Sequence, residues 1–549
     1  MSIIYFYITA ACLAFIAGIY TFSHYYTIIL FWIGASLTAV SIAYLFKRPD
    51  IFRKKQNGRI PLYIRWLFVP FLLGVQLYNT WARKNDSVPA IQKINDNLFL
   101  ACRLFPSDMP ELKRNGIKAI LDVTAEFDGL DWSANGENLA YLNLPVLDHQ
   151  SPLPEQLVQA INWIRAHSEE GGVVVHCALG RGRSVLIAAA YLLSQNDDWT
   201  VDEALNAIHC VRKTAGLNRH QLKALKKAHH RGLLRANNRL ALIVNPVSGA
   251  GKWADAKNEI IHRLSIKYAL SIYLTEADTS AKMLSEQAIA EGHKLIVACG
   301  GDGTIAEVAA VVIDADATLG MLPLGTTNAL SHVLHGAGTK VFPIAICCDI
   351  LIAEEASTID TATCNDELFL LITSIGLSPK MIESADRAEK DEEGQLAYLK
   401  GLWDAVKLGE SITLQVTIDQ TPAVEIETSS FVVANAAPFS TILAQGNGNP
   451  NIADGLLDIT WLPNNVTVKD QILNLTDLAA SGLVDSQPNA NIEFRQGESV
   501  MIKTDSTLLL NYVIDGESRQ ANSLSIQVKP NSLKVLASKI FLQNKNSDA

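Results

Sequence analysis

The sequence contains no CxxC pair. Its eight cysteines are scattered without regular spacing, and Cys347 and Cys348 are adjacent. Neither a disulfide framework nor a metal site suits that distribution, so free thiols in a reducing compartment are expected. A basic surplus is also missing: 46 Lys and Arg face 56 Asp and Glu, a formal net charge of -10. No domain-wide basic surface is implied, which argues against a nucleic-acid partner. There are no internal repeats and no low-complexity segments. At 549 residues the chain is too long for a single core, and two or three folded units are expected.

Charge is nearly absent from the first forty-six residues. Two apolar runs, 3–20 and 27–46, are separated only by the uncharged TFSHYY. Each is long enough to cross a hydrocarbon core of about 30 Å as a helix. No basic segment or small-residue cleavage site precedes folded sequence, which argues against a removed signal peptide. Lys47, Arg48, Arg53, Lys54, Lys55 and Arg59 follow the second run. The positive-inside rule puts this cluster in the cytoplasm and makes the two runs a membrane hairpin, with the rest of the chain on the cytoplasmic side. A third apolar segment, 61–78, contains Arg65 and Pro70. A third span would move either the basic cluster or the rest of the chain out of the cytoplasm, so an interfacial or re-entrant segment is expected. Residues 1–85 thus form the membrane anchor.

From residue 91 to about 235 short apolar strands alternate with helical stretches, an α/β pattern. KAILDVT and VVVHC are candidate buried strands, and 154–167 and 184–195 are candidate helices. A terminal helix is expected within 222–239. A second α/β unit begins at LALIVNP and runs over 238–349. Many short β-rich segments follow over 350–542, a β-sandwich-like lobe, and 543–549 form a polar tail.

Within the first α/β unit, VVVHCALGRGRS delivers His176 and Cys177 from a β-branched strand into a tight loop holding Gly180 and Gly182. A helical pattern then starts at Arg183 and Ser184. Such a loop turns backbone N–H groups inward at a helix N-terminus, which suits a phosphate dianion. The same field favours Cys177 as a nucleophile. Arg183 supplies a bidentate fork for a phosphoryl group. Ser184 can hydrogen-bond the sulfur as it leaves the phosphocysteine. An acid must protonate the leaving oxygen, and Asp148, in the Pro-rich LPVLDHQSPLP, is the candidate.

HCALGRGRS resembles the HCxxGxxRS signature of dual-specificity phosphatases over roughly residues 91 to 230. The resemblance implies Cys177 as nucleophile, Arg183 as phosphate clamp, Ser184 as partner of the sulfur and Asp148 as acid. Arg181 stands where lipid-directed members often carry an extra cation. DVTAEF (122–127) resembles the phosphatidylglycerophosphate-phosphatase branch, with its acidic motif only partly matched. A lipid phosphate and a protein phosphotyrosine both stay open as substrates.

In the second unit GGDGT follows the strand LIVAC and precedes a helical pattern, again a strand, a glycine turn and a helix N-terminus. NPVSGAGKW is no Walker loop, lacking Ser or Thr after Lys252. The ordered set NPVSGAGK, GGDGT and PLGTTNAL resembles the diacylglycerol kinase catalytic domain, in the branch of bacterial lipid kinases and sphingosine kinases. The resemblance covers about residues 238 to 540 and includes GQLAYLKGLWDAVK, ADGLLDI and IDGE. It implies a nucleotide-binding α/β lobe and a β-sandwich lobe, with a lipid acceptor entering between them and ATP as donor. It implies that Asn245 and Gly249 to Gly251 line the nucleotide site and that Gly300, Gly301, Asp302, Gly303 and Thr304 cradle phosphates. Thr275 and Thr326 contact the nucleotide. Asp515 matches the base for the lipid hydroxyl, with Asp302 as its rival. Asp454, with the carbonyls of Asn451 and Leu456, matches a Mg²⁺ site. Asn328 is followed by Ala329, as in sphingosine-kinase-like members, which leaves the acceptor open.

Together these features predict an α/β phosphatase domain and a two-lobed kinase behind an N-terminal helical membrane hairpin. The expected function is a membrane-anchored bifunctional enzyme of phospholipid metabolism. A protein-directed phosphatase fused to a lipid kinase, and one domain acting as a non-catalytic binding module, are the alternatives.

Overall fold

The computed structural model describes residues 2–22, 24–129, 139–336, 338–376, 411–436, 451–463, 493–504, 509–539 and 541–542. GQLAYLKGLWDAVK and the 543–549 tail lie outside them. The chain divides into two compact units, Met1–Asn238 with Ile261–Leu270, and Arg239–Ile260 with Ser271–Ala549.

Three helices open the first unit: α1 (Ser2–Tyr20), α2 (Thr27–Leu45) and α3 (Leu62–Lys84). Tyr7 near the start of α1 meets Tyr44 at the end of α2, with ring centroids 5.7 Å apart, so the first two helices form an antiparallel hairpin. Both are long and apolar enough to cross a membrane, by length and composition. Large apolar side chains along them, including Phe6, Leu13, Ile16, Ile28 and Ile42, are exposed.

The third apolar segment runs as helix to Lys84, beyond the expected end at Tyr78. The reason is tertiary: its last turns are tied to the phosphatase. Asn79, buried, donates to the Ala178 carbonyl at 2.7 Å. Arg83 pairs with Asp108 at 2.6 Å and also donates to the Arg103 carbonyl. Ile64, Phe68, Phe71 and Ala82 face inward, while Leu62, Trp66, Leu73, Leu77 and Trp81 lie exposed on the opposite side. The helix therefore has two apolar faces, and one of them belongs to the core of this unit.

Five strands form the phosphatase sheet, in the order Ile91–Lys93, Leu98–Ala101, Gly172–His176, Ile117–Asp122, Ala140–Asn143. The first pair is antiparallel and the others are parallel. Gly172–His176 is central and buried throughout, which is why it reads as an unbroken β-branched run. Pro154–Ser168 and Arg183–Gln195 are helices, close to the predicted ranges. The terminal helix spans Arg219–His230, ending short of Arg239. Gly232, at φ +67°, turns the chain away, and Arg239 already begins the next strand.

In the second unit, strands Arg239–Val244, Leu295–Gly300 and Thr318–Pro323 pair in parallel, and the strand Ala269–Leu274, which enters this unit at Ser271, lies at the edge. Thr318–Pro323 also touches the long strand Ser523–Leu536, through Val535 and Leu319. That strand leads into an antiparallel lobe in which Ile372–Ile375, Ile412–Ile418, Val424–Ala434 and Ser499–Lys503 are neighbours. One apolar core joins the lobes: Ile305 and Val308 share it with Leu371, Val432 and Leu533. A second core, around Phe431 and Trp461, fills the β lobe.

Besides Arg83–Asp108, a fully buried ion pair ties the N-terminal region to the α/β domain. Lys54, counted from sequence as part of a topology-setting basic cluster, is buried and pairs with buried Asp122 at 2.7 Å. Its ammonium also donates to the carbonyl and hydroxyl of Thr124. Burial opposes ionisation of Asp122, but Lys54 outweighs it and holds the carboxyl well below the usual carboxylate range. Lys54→Met strands that carboxylate, so it is expected to destabilise the unit by about 3–5 kcal/mol. Denaturant unfolding of the full chain, followed by fluorescence, checks this value.

Candidate active sites

Cys177 leaves the central strand where its neighbours end, with His176 in register with Asp122 on one side and Ala101 on the other. The loop after it is held by its carbonyls. Ala178 O accepts from Asn79 Nδ2 and from the Arg103 N–H. Leu179 O and Gly180 O both accept from the buried Arg212, at 3.1 and 2.8 Å. Carbonyl and N–H of a peptide unit point in opposite directions. With three successive carbonyls drawn outward, the amides of 179–181 face the cysteine side, the geometry of an anion nest. Gly180, at φ +66°, permits the turn.

Ser184 Oγ donates to Cys177 Sγ at 3.2 Å. Arg183 is buried, and its fork donates to both oxygens of Glu126, at 2.9 and 2.7 Å, and to Val146 O at 2.7 Å. Asp148 Oδ1 lies 3.2 Å from the same guanidinium. Burial alone would lower the Arg183 pKa, but Glu126 and Asp148 outweigh it and hold it well above its ordinary value. Its Nε has no partner and remains a spare donor for a phosphoryl oxygen. His176 lies 3.8 Å from Asp122, and burial pushes its pKa down, so the ring is neutral. The structure thus brings Cys177, Arg183, Ser184 and Asp148 together. Arg181 sits at the rim, in an ion pair with Asp86 at 3.2 Å.

Glu126, Arg212 and Asn79 were not foreseen as site residues. Glu126 had a signal, a carboxylate two residues beyond a buried strand's Asp-Val-Thr end. Arg212 and Asn79 had none, since they reach the loop from distant helices.

In the second unit the predicted motifs converge at the carboxyl ends of the parallel strands, where ligands of open α/β sheets bind. Asn245 donates to Thr304 Oγ1 at 3.5 Å, and its own Oδ1 accepts from Val247 N. Gly249, Ala250 and Gly251 all have positive φ and form a turn ahead of the following helix. A β-carbon on Gly325 would run into Gly301 Cα, so glycine is what lets GGDGT and PLGTTN touch. Lys252 Nζ closes the set on Gly325 O at 2.7 Å. Thr275 sits beside Asn245, its N–H donating to Val244 O. Thr326 lines a cavity of about 520 Å³ with Lys252 and Asn328. Gly300 and Gly301 lead into the helix Asp302–Val312, whose second residue is Gly303 and whose N-terminus no side chain caps.

Asp302 turns its carboxylate to the N–H groups of Ala329 and Leu330, at 3.1 and 3.3 Å, linking two motifs. Burial pushes its pKa up. Asp515 occupies a two-residue hairpin turn with Gly516, both at positive φ. Its carboxylate nevertheless reaches across to accept from Leu370, Leu371 and Ile372 N–H, at 2.7, 3.0 and 2.9 Å. Burial outweighs these bonds and raises the carboxyl to about 6, with a contribution from nearby Asp302. One group therefore serves the turn and carries a pKa suited to base chemistry.

Among the described residues no cluster of three or more His, Cys, Asp or Glu could hold a metal. One oxygen of Asp454 accepts from Leu456 N at 3.0 Å. Burial and the charge of Asp360 raise its pKa, and burial raises neighbouring Asp458 to about 6. This surplus of negative charge fits a hard cation completed by main-chain oxygens and water.

Glu126→Gln weakens two charge-assisted bonds to Arg183, and is expected to lower phosphatase kcat/KM about ten- to hundredfold. Steady-state assays with a small aryl phosphate measure this loss. If Asp515 is the base, kinase kcat/KM falls as pH drops through about 6, because protonation removes the acceptor lone pair. A pH–rate profile reads this, and Asp515→Asn is expected to abolish activity; a variant retaining the profile would leave Asp515 only its turn role.

Comparisons with known proteins agree with this geometry. The family profile described as dual specificity phosphatase, catalytic domain, matches residues 98–231. The diacylglycerol kinase catalytic domain matches 239–364, and the YegS C-terminal NAD kinase beta sandwich-like domain matches 372–537. The protein sll0036 of Synechocystis is 32% identical over 54% of this chain and 69% of its own length. "Probable lipid kinase YegS-like" of Pseudomonas aeruginosa is 27% identical over 48% of this chain and 84% of its own. Among solved structures, a diacylglycerol kinase from Bacillus anthracis covers 55% of this chain and 98% of its own, with 21% identity and a TM-score of 0.43. The chain therefore belongs to the family of the diacylglycerol kinase catalytic domain, and carries a dual specificity phosphatase catalytic domain ahead of it.

Proposed function

We propose a membrane-anchored enzyme of phospholipid metabolism that phosphorylates one lipid hydroxyl, with diacylglycerol the first candidate, and removes phosphate from another lipid. The observation that carries this reading is the junction of α3 with the cysteine loop. Asn79 holds the Ala178 carbonyl, so the helix that carries the outward apolar stripe also shapes the phosphate site. That stripe and the exposed apolar hairpin support a bilayer as the surrounding medium, with both catalytic units on its cytoplasmic side, where ATP is available.

In the phosphatase, the Cys177 sulfur attacks phosphorus as the bond to the lipid oxygen breaks. Asp148, as the carboxylic acid, gives that oxygen its proton. Arg183 and the amides of 179–181 hold the equatorial oxygens. Water then attacks the phosphocysteine, Asp148 takes its proton, and Ser184 bonds the departing sulfur. In the kinase, Asp515 takes the proton of the acceptor hydroxyl as its oxygen bonds to the γ-phosphorus of ATP and the bond to ADP breaks. Amides of Gly300 to Thr304 meet the phosphate charge, and Asp302 holds their loop to the PLGTTN turn. Mg²⁺, when bound, supplies charge neutralisation, and Asp454 with the carbonyls of Asn451 and Leu456 are the residues that would hold it.

Lipid mass spectrometry of cells carrying Cys177→Ser or Asp302→Ala tests the assignment. Cys177→Ser is expected to enlarge one lipid phosphate pool, and Asp302→Ala to shrink another. If neither variant alters any lipid phosphate, the metabolic reading is wrong. Assays of the purified chain on phosphotyrosine peptides beside lipid phosphates separate the protein-directed alternative.

A further inference from the structure

The cavity over Cys177 is walled by two kinds of surface. On one side stand Cys177, Arg181, Arg183, Asp148, Asn218 and Gln221, polar or charged, with Leu179 and Leu217 among them. On the other stand residues of the N-terminal helices. Ile3, Phe6, Tyr7 and Ala10 are spaced to form one stripe of α1, and Leu37 joins them from α2. Pro70, Phe71, Gly74, Val75 and Tyr78 form the facing stripe of α3. The two stripes meet at Tyr7 and Phe71, whose ring centroids are 5.5 Å apart. The Tyr7 phenol lies within electrostatic reach of Asp148 and Arg183, so the apolar wall begins beside the catalytic groups. The cavity measures about 840 Å³, within the usual range for a small-molecule site. Phe6 and Tyr78 are themselves exposed, so the slot opens outward beside them.

We infer that the slot between α1 and α3 is an acyl-chain subsite of the phosphatase, so that the substrate is a phosphomonoester lipid seated with its chains against the anchor helices. This deepens, and rests on, the lipid-phosphatase reading above. A soluble phosphate ester needs only the polar half of the cavity. An apolar wall continuous with the catalytic loop gains from a ligand with both a phosphate and hydrocarbon, at about 25 cal/mol for each Å² removed from water. The occupant's chains need not leave an apolar medium, because the same helices bear the exposed apolar surface of the hairpin. On this inference the anchor selects the substrate as well as tethering the enzyme.

Gly74 offers a specific test. It lines the slot, and a β-carbon there would meet nothing within 4 Å, so the position tolerates a side chain at the slot's wall. The full-length chain in detergent micelles is assayed with dihexanoyl and dipalmitoyl phosphatidate, p-nitrophenyl phosphate and a phosphotyrosine peptide. Wild type is expected to prefer the longer-chain lipid. Gly74→Leu should lower the ratio of lipid to p-nitrophenyl phosphate kcat/KM by about tenfold or more, the discrimination a filled apolar pocket typically gives. Gly74→Ala, a smaller change at an open position, should fall between. An unchanged ratio in both variants, or the absence of a chain-length preference in wild type, overturns the subsite while lipid turnover itself persists. Turnover of the peptide but of neither lipid by wild type overturns the lipid-phosphatase reading and the subsite together.

Discussion

Everything at the phosphatase site depends on where three backbone carbonyls point. Ala178, Leu179 and Gly180 give their oxygens to Asn79, Arg103 and Arg212, all outside the loop. An amide cannot turn without its carbonyl, so this outer ring of donors orients the inner ring of N–H groups. Such preorganisation is the kind of electrostatic term that costs no rearrangement during reaction. The buried Arg183–Glu126 fork extends the same logic to the clamp. A buried pair recovers little net stability after desolvation, so its value here lies in holding a guanidinium in one orientation.

The kinase unit reaches a comparable end by different means. Its loops are held by close backbone contact, with Gly325 against Gly301, and by carboxylates bonded to main-chain N–H groups. Asp302 joins GGDGT to the start of the Ala329–His335 helix, and Asp515 joins the β lobe's hairpin to residues 370–372. Both are acids whose surroundings disfavour charge while their hydrogen bonds favour it. Asp515 comes out near 6 because burial wins that contest.

The N-terminal region does more than its composition suggested. The basic cluster was read as a topology signal, yet Lys54 is consumed by a buried bond to Asp122, while Arg48 stays at the surface with Asp50. Two cations of one short stretch thus have opposite fates. The third apolar segment, by composition an interfacial or re-entrant candidate, exposes a stripe of Leu62, Trp66, Leu73, Leu77 and Trp81. Its other face packs in a core with Val40, Tyr44 and Phe52, joined by Ala125 and Leu147 of the α/β domain. Composition could not separate the two, because both stripes are apolar.

What was legible in the sequence was local. Cys177, Arg183 and Ser184 lie within eight residues, and a strand, a glycine turn and a helix start are specified by neighbours along the chain. The same holds for GGDGT after LIVAC and for the two apolar runs of the hairpin. Tertiary structure alone decided the partners that come from afar. Glu126 stands 57 positions before Arg183, Arg212 32 after Gly180, and Asn79 99 before Ala178. It also decided that Asp515, a turn residue by its neighbours, faces the main chain of residues 370–372. A side chain's local sequence states what it can bond to, but which donor or acceptor arrives beside it depends on how distant elements pack. Packing follows the burial of whole faces, not any short stretch of residues.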